Sequence, residues 1–330
     1  MGDIFEDVVA ENRRLRAEIK ELRGQLMGFE SSRWWRLHPR FALRRLRHRV
    51  RSADGIGTDA MSPRKVTRAA RVWKLKAEHD RRNVGCPADE LVLREGIRLR
   101  LHPESRFPFE EFCYIAPEMV DEMDSFIANI SDKHRLLDVG ALHGLFSLVF
   151  AARDSANEVV AVDASPLAFA KLLYNIHANS ARNITAVESA LSDNSGMLEM
   201  HYDWEHAVAG DRSPTHRSLR VESQTGDRLC EAYSFAPDVI KIDVEGHEVK
   251  VVEGLRETIA RNKPLLFLEL HPLMISRNDG NGSVAELIRT LAEVGYGTAE
   301  LHGRAVSVEA LIDVDEIERI VLRPNSSARA

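Results

Sequence analysis

Apolar residues in the second half of the chain form short runs that alternate with longer amphipathic segments. Short apolar runs separated by helical segments are typical of a parallel sheet covered by helices on both faces. The apolar runs predict strands at 135–139, 158–162, 184–188, 238–242, 264–270, near 296–302 and at 318–323. The amphipathic segments predict helices at 145–153, 166–179, 247–261 and 283–294. We therefore expect a doubly wound α/β domain over 88–330.

Three further patterns belong to this domain. Residues 91–101 alternate as in a short hairpin, and the apolar spacing over 117–130 predicts a helix. Residues 203–219 form a polar insertion between strand-like segments at 196–202 and 220–225. Loops in such positions commonly cover a substrate site, so we expect the same of this insertion.

The first 30 residues carry apolar positions spaced alternately by three and four. This spacing is a heptad seam, and one Asn at an a position favours a parallel two-stranded coil, because paired Asn side chains satisfy each other in that register. We therefore predict a short coiled coil over 1–30 and a homodimer through 5–29; an amphipathic helix packed on its own domain is the alternative. The seam residues are Phe5, Val8, Asn12, Leu15, Ile19, Leu22, Leu26 and Phe29.

A basic segment follows the heptads. Residues 31–53 contain eight arginines and no acidic residue, interleaved with Trp, Leu and Phe, and 64–82 predict a helix that Pro63 begins. Arginine with tryptophan and leucine suits anionic lipid headgroups, so we predict peripheral membrane contact through 31–53. RNA or polyanionic glycan binding and a solvated linker are the alternatives, and we do not expect a nucleic acid partner. We assign 31–87 as a basic linker and helix.

Charge and composition limit the class of protein. Residues 1–83 hold 21 Lys and Arg against 11 Asp and Glu, whereas the net charge of the whole chain is −6. No apolar run reaches the roughly 18 residues of a membrane span, and the N-terminus lacks an apolar signal core. Three widely spaced cysteines suit a reducing compartment. We expect a cytoplasmic protein that contacts the inner membrane face through 31–53.

Polar residues and glycines follow the first two predicted strands. Asp138, Gly140 and Gly144 make a D-x-G-x-x-x-G turn, which lacks the middle glycine of the dinucleotide fingerprint. Asp138 is unexpected beside a pyrophosphate, because both are negatively charged, and it suits a cationic ligand better. The free N–H groups at the start of the following helix favour a ligand that also carries a carboxylate. Asp163 ends the next strand, where an acid accepts hydrogen bonds from ribose hydroxyls.

Ionisable residues also crowd the ends of the strands at 238–242 and 264–270. Asp243, Glu245 and His247 follow the first strand, and Glu269 and His271 end the second. Buried ionisable residues are costly unless they converge on a ligand, so these ends predict a second half of the site.

Five segments together resemble the FkbM family of methyltransferases that use S-adenosylmethionine (SAM). They are LLDVGALHGLFSL, VVAVDASP, NITAVESALSD, VIKIDVEGHEVKVVEGL and LLFLELHP. The resemblance implies the class I methyltransferase fold, with seven strands in a mostly parallel sheet and the last strand antiparallel. It also implies that SAM is bound by Asp138, Gly140, Ala141, Gly144, Asp163, Ser192, Asp193 and Asp243.

Methyl transfer to oxygen needs a group that removes the acceptor proton. The candidates for this catalytic role are His247, His271, Glu245 and Glu269. Asp243, Glu245, Glu269 and His271 also have the ligand types for Mg²⁺, but hydrogen bonding to an acceptor explains them equally and we predict no metal.

We expect an O-methyltransferase whose acceptor is a sugar hydroxyl in a cell-surface glycan or its precursor. The alternatives are a methyltransferase of a secondary metabolite, which is a small hydroxylated acceptor, a nicotinamide-dependent oxidoreductase, and a non-catalytic membrane-associated adaptor.

Overall fold

The computed structural model describes residues 63–203, 206–209, 217–277 and 282–325. The chain divides into two compact units, Met1–Ala60 and Met61–Ala330. The first unit lies outside the described residues, and so do the predicted coiled coil and the basic segment at 31–53.

The second unit begins with helical and hairpin elements. They are α1 (Pro63–Arg82), β1 (Glu90–Val92), β2 (Arg98–Arg100), α2 (Arg106–Glu110), a π-helical turn (Glu111–Ile115) and α3 (Pro117–Asn129). Alternating strands and helices follow: β3 (Arg135–Val139), α4 (Leu145–Arg153), β4 (Glu158–Asp163), α5 (Pro166–Ala178) and β5 (Ile184–Glu188).

Short strands and the second half of the main sheet complete the unit. The short strands are β6 (Ala190–Leu191), β7 (Gly196–Asp203), β8 (His206–Ala209) and β9 (Arg217–Gln224). Then come α6 (Gly226–Ala232), β10 (Val239–Ile242), α7 (Glu248–Gly254), α8 (Arg256–Asn262), β11 (Leu265–Leu270) and α9 (Pro272–Arg277). The last elements are α10 (Val284–Glu293), β12 (Thr298–Leu301), β13 (Arg304–Ser307) and β14 (Glu318–Arg323).

The main sheet has the order β13-β12-β14-β11-β10-β3-β4-β5. The five strands from β11 to β5 are mutually parallel, and β14 is antiparallel to both β11 and β12. This order confirms the doubly wound sheet with an antiparallel last strand. Strand β13 adds an eighth, edge strand that the sequence pattern did not indicate, since only one side chain of this strand is even half-buried.

Successive residues of the central strands enter opposite hydrophobic cores. Leu136 packs beneath α3 and α4 with Phe126 and Phe146, whereas Leu137 packs on the other face with α6, α7 and α10. Both faces of the sheet are therefore buried, which explains the nearly continuous apolar runs of its strands.

Two predictions about regular structure are corrected. The helix expected at 247–261 is two helices, because Leu255 leaves the helical conformation while its side chain packs directly against Gly226. The polar insertion at 203–219 contains strand β8, which pairs with β7. The small sheet β6-β9-β7-β8 therefore continues into a region expected to be loop.

Helix α1, which the sequence assigned to the linker, belongs to the second unit and packs on α3 and the π-helical turn. Arg71 forms an ion pair with Asp121 of α3, and the buried ring of His79 lies 4.8 Å from that of Tyr114. Among the described helices, none combines the length and apolarity that a membrane span requires.

Candidate functional site

The carboxyl ends of β3, β4, β10 and β11 lie at one edge of the main sheet, because these strands are parallel neighbours. Their following loops carry the residues that the sequence singled out. In an open α/β sheet this edge is where ligands bind, so the site is built from these four loops.

The loop after β3 is held against the strands on both sides. The amides of Gly140 and Ala141 both donate to the carbonyl of Val162 at 2.9 and 3.0 Å. Gly140 has a φ of +79°, and a Cβ on it would lie 1.9 Å from the carbonyl oxygen of Asp243. Only glycine permits this approach between the β3 and β10 loops. As predicted, Gly144 directly precedes helix α4, with a φ of +85°.

Asp163 lies at the end of β4 as expected, and its carboxylate is buried. Its two oxygens accept the backbone amides of Leu142 at 2.7 Å and Ser165 at 2.8 Å. Burial raises the pKa of Asp163 to about 7, although the two amides act in the opposite direction. No cation within the described residues forms a salt bridge with it, so the ionised carboxylate has acceptor capacity left for hydroxyl donors.

Ser192 and Asp193 follow β6 and meet His247. The Ser192 hydroxyl lies 3.0 Å from Nε2 of His247, and Oδ2 of Asp193 lies 2.7 Å from Nζ of Lys250. Burial raises the pKa of Asp193, but the pairing with Lys250 outweighs it and the net shift is downward. The structure therefore places His247 beside Ser192, whose hydroxyl also lies 3.2 Å from Oδ1 of Asp193.

A polar row crosses the sheet on the face covered by α3 and α4. Asp138 and Lys241 are register neighbours on β3 and β10, and both are buried. Nζ of Lys241 lies 3.2 Å from Oδ2 of Asp243 and 4.5 Å from the centroid of the Phe146 ring. Asp138 also accepts a hydrogen bond from the Ser147 hydroxyl at 2.6 Å. Asp138 is 1% exposed, so its carboxylate lies inside the sheet–helix layer with Ser147.

The row continues to β11 and β14 through Glu269 and Arg319. Arg319 donates to Oε1 of Glu269 at 2.5 Å and to Oε2 of Glu122 at 2.8 Å. Burial raises the pKa of Glu269 to about 8 despite the nearby Arg319. Burial also acts to raise the pKa of Asp243, but Lys241 reverses this and holds it well below its ordinary value.

His271 lies at the centre of the remaining carboxylates. Its Nδ1 is 2.6 Å from Oε1 of Glu248, and its Nε2 is 3.5 Å from Oε2 of Glu245 and 3.8 Å from Oε1 of Glu269. Burial lowers the pKa of His271, yet the surrounding carboxylates outweigh it and raise the pKa to about 10. The ring is therefore an imidazolium at neutral pH.

The predicted catalytic residues divide between two places. Glu245, Glu269 and His271 lie together at the ends of β10 and β11, with Asp243 beside them. His247 lies apart, with its Nε2 on Ser192. The side chains of Asp243 and Glu245 are 26% and 12% exposed, so both are partly accessible to solvent.

Three residues that contact this cluster were not among the site residues predicted from the sequence. Glu122 and Arg319 complete the charge balance of the polar row, and Glu248 binds His271. Glu122 lies on a helix and Arg319 on a distant strand, so no local pattern connects them with the strand ends. Glu248 belongs to the run of ionisable residues after β10, which was a usable signal.

Two kinds of ligand are compatible with these residues. Ligand atoms of Asp243, Glu269 and His271 lie within 4.8 Å of one another, a spacing that also suits a divalent cation. Lys241 and Arg319 already pair with the two carboxylates, which disfavours a further cation there. The close-packed glycine loop and the buried Asp163 carboxylate fit a nucleoside that supplies hydroxyl donors and carries a positive charge.

The family model named "Methyltransferase FkbM domain" matches residues 138–297. The chain is 27% identical to the hexuronic acid methyltransferase AglP of Haloferax volcanii over 137 residues, which is 41% of this chain and 55% of that protein. It is 32% identical to a Methanocaldococcus jannaschii protein named as an N5-glutamine methyltransferase over 188 residues, covering 52% of this chain and 86% of that protein. The chain thus spans about half the length of the first of these relatives.

The chain is also similar to solved structures of proteins named as methyltransferases, at low sequence identity. The methyltransferase FkbM of Methylobacillus flagellatus aligns with a TM-score of 0.38 and 16% identity, over 58% of this chain and 44% of that one. The N-terminal domain of EvdMO1, solved in the presence of S-adenosylhomocysteine (SAH) and D-fucose, aligns with a TM-score of 0.37 and 15% identity, over 82% of this chain and 100% of that one.

Proposed function

From the premise that this chain belongs to the FkbM family of methyltransferases, we propose that it uses SAM to methylate a sugar hydroxyl. We further propose that the sugar is part of a cell-surface glycan or its precursor. One observation carries the proposal: the partly exposed side chains of Asp243 and Glu245 follow β10 at the point where the backbone of Asp243 contacts the glycine loop at Gly140. Carboxylates in such a position can accept hydrogen bonds from several hydroxyls of one sugar.

The cofactor contacts follow from the geometry of the first two loops. Asp163 would accept hydrogen bonds from the ribose hydroxyls, because its oxygens retain free acceptor positions beyond the two backbone amides. Gly140, Ala141 and Gly144 would place backbone next to the amino acid part. Ser192, Asp193 and His247 would line the nucleoside end, where the latter two are already hydrogen-bonded to Ser192.

SAM supplies an electrophilic methyl group: the acceptor oxygen forms the new O–C bond, and the electron pair of the S–C bond returns to sulfur, leaving SAH. The protein has to orient the hydroxyl and take its proton. We assign proton removal to Glu245, whose side chain is 12% exposed. Glu269 is less available because Arg319 holds it at 2.5 Å. His271 carries a positive charge and steadies both carboxylates.

The acceptor class has two supports. The partly exposed carboxylates of Asp243 and Glu245 offer hydrogen-bond acceptors to a polyol, and the relative AglP is named for methylation of a hexuronic acid. Membership in a methyltransferase family leaves no basis for the nicotinamide-dependent oxidoreductase. A hydroxylated secondary metabolite and, from the M. jannaschii relative, a glutamine amide are the competing acceptors.

Transfer of labelled methyl from SAM to defined acceptors tests the proposal. The panel contains the methyl glycosides of a neutral hexose, a hexosamine and a hexuronic acid, together with a glutamine peptide. We expect label in a sugar as a methyl ether, which survives mild alkali, whereas a methyl ester of the hexuronic acid is released by it. Label in the peptide alone, or in no acceptor, would contradict sugar O-methylation.

The arm is proposed to serve the same reaction. A coiled coil over 5–29 would pair two copies, and the arginines of 31–53 would attract an anionic membrane surface on which lipid-linked glycan precursors lie. The charge pattern of the sequence supports this role.

A further inference from the structure

Glu248 is a fully buried carboxylate that the proposed reaction does not yet use. It is the first residue of α7 and is 0% exposed. Its Oε1 lies 2.6 Å from Nδ1 of His271 and also accepts the amide of Gly246 at 3.0 Å. A buried carboxylate is costly unless it is paired, and here its charged partner is the His271 ring.

The other side of the ring points to the site. Nε2 of His271 lies 3.5 Å from Glu245 and 3.8 Å from Glu269, and it forms no hydrogen bond with any described residue. The ring is therefore fixed through Nδ1 and presents Nε2 to the carboxylates at the strand ends. A ring held at one nitrogen has a defined orientation at the other.

We propose that Glu248 is a positioning residue for methyl transfer, which acts through the His271 ring on the carboxylate of Glu245. This inference rests on the proposed function, because Glu245 is the group assigned to take the acceptor proton. The chain Glu248–His271–Glu245 connects a buried anion, a cation and a partly exposed anion. Its geometry orients Glu245 for an approaching hydroxyl.

The electrostatics agree with this chain. Glu245, Glu248 and Glu269 all face the His271 ring, and together they outweigh burial and raise its pKa to about 10. With both nitrogens protonated, the ring donates one N–H to Glu248 and directs the other towards Glu245. Removing the negative charge of Glu248 lowers the pKa of His271. It also weakens the contact at Nδ1 that fixes the orientation of the ring.

The test compares Glu248→Gln with Glu253→Gln in the full chain. Gln keeps an oxygen for the Gly246 amide but removes the negative charge. Glu253 lies on the same helix with its side chain 47% exposed, so the same substitution there leaves the cluster untouched. Far-UV circular dichroism and SAM calorimetry identify a variant that has lost its fold or its cofactor site.

The first measurement follows the ring nitrogens of His271 by ¹⁵N NMR, with the resonance assigned through His271→Gln. We expect the pKa of His271 to fall by at least about one unit in Glu248→Gln and to stay unchanged in Glu253→Gln. Equal titration of His271 in the wild type and in Glu248→Gln would overturn the proposal.

The second measurement is turnover on the sugar that the wild type methylates. Because a positioned base contributes roughly 10²–10⁴-fold, we expect kcat of Glu248→Gln to fall at least about tenfold while KM for SAM changes less than about twofold. Unchanged kcat with a lowered His271 pKa would also overturn the positioning role. If the wild type methylates none of the sugars, the proposed function is refuted. If only the comparison of Glu248→Gln with the wild type fails, the positioning role alone is refuted.

Discussion

The carbonyl oxygen of Asp243 lies where a side chain on Gly140 would begin: a Cβ there would be 1.9 Å from that oxygen. Contact at this point brings the glycine loop after β3 next to Asp243 and Glu245, which follow β10. The two halves of the site therefore depend on one glycine.

Gly140→Ala is expected to destabilise the protein and weaken SAM binding. The left-handed conformation alone costs about 1–2 kcal/mol for a residue with a Cβ, and the overlap with Asp243 adds to it. Denaturant unfolding and calorimetry with SAM measure the two effects. Gly196→Ala is the matched control, because nothing lies within 4 Å of its Cβ position. A Gly140 variant as stable as this control would contradict the close approach of the loops.

Asp163→Asn should reduce SAM affinity by about 10- to 100-fold, because hydrogen bonds to a charged group are worth roughly 1.5–3 kcal/mol. The amide oxygen of Asn accepts only one of the two backbone N–H groups and its NH₂ group faces the other, so the unfolding free energy should fall as well. Isothermal titration calorimetry measures the affinity, with Asp132→Asn, whose side chain is 75% exposed, as the control. Unaltered SAM affinity would remove Asp163 from the ribose role.

SAM affinity of the wild type should rise between about pH 6 and pH 8. Burial raises the pKa of Asp163 to about 7, so below that pH the side chain is protonated and is a weaker acceptor for ribose hydroxyls. Calorimetry across this range measures the effect. Asp163→Asn lacks the titrating group and should show a flatter profile; identical profiles would argue against a titrating Asp163.

Lys241→Met should destabilise the protein by about 3–5 kcal/mol, the usual cost of leaving a buried charge without its partner. Lys241 is 3% exposed and contacts Asp243 and Glu122 at 3.2 and 3.7 Å. Lys76→Met removes an exposed pair with Asp80 and should change the unfolding free energy by less than about 1 kcal/mol. Chemical denaturation compares the two variants, and equal effects would contradict a buried charge network.

Deletion of 1–53 should abolish binding to anionic liposomes and leave turnover on a water-soluble sugar intact. Eight arginines in 31–53 supply the attraction, which salt should weaken. Co-sedimentation with anionic and neutral vesicles is the measurement. Sedimentation of the shortened protein with anionic vesicles would show that another surface binds them.

The alternation of strands and helices could be predicted from the sequence, because both faces of a parallel sheet are buried and its strands are therefore apolar. Strands β3, β5 and β14 have the predicted bounds, and helix α4 does too. The break at Leu255 was not readable, since it arises from packing against Gly226 on another helix.

The sequence by itself determined which residues end the parallel strands, because strand direction places those ends at one edge. Asp163, Asp243, Glu269 and His271 could be assigned to that edge without coordinates. Only the tertiary structure decided their partners, since partners depend on side-chain direction and on residues distant in the chain. It turned His247 towards Ser192 and His271 towards Glu248, although both histidines lie after neighbouring parallel strands.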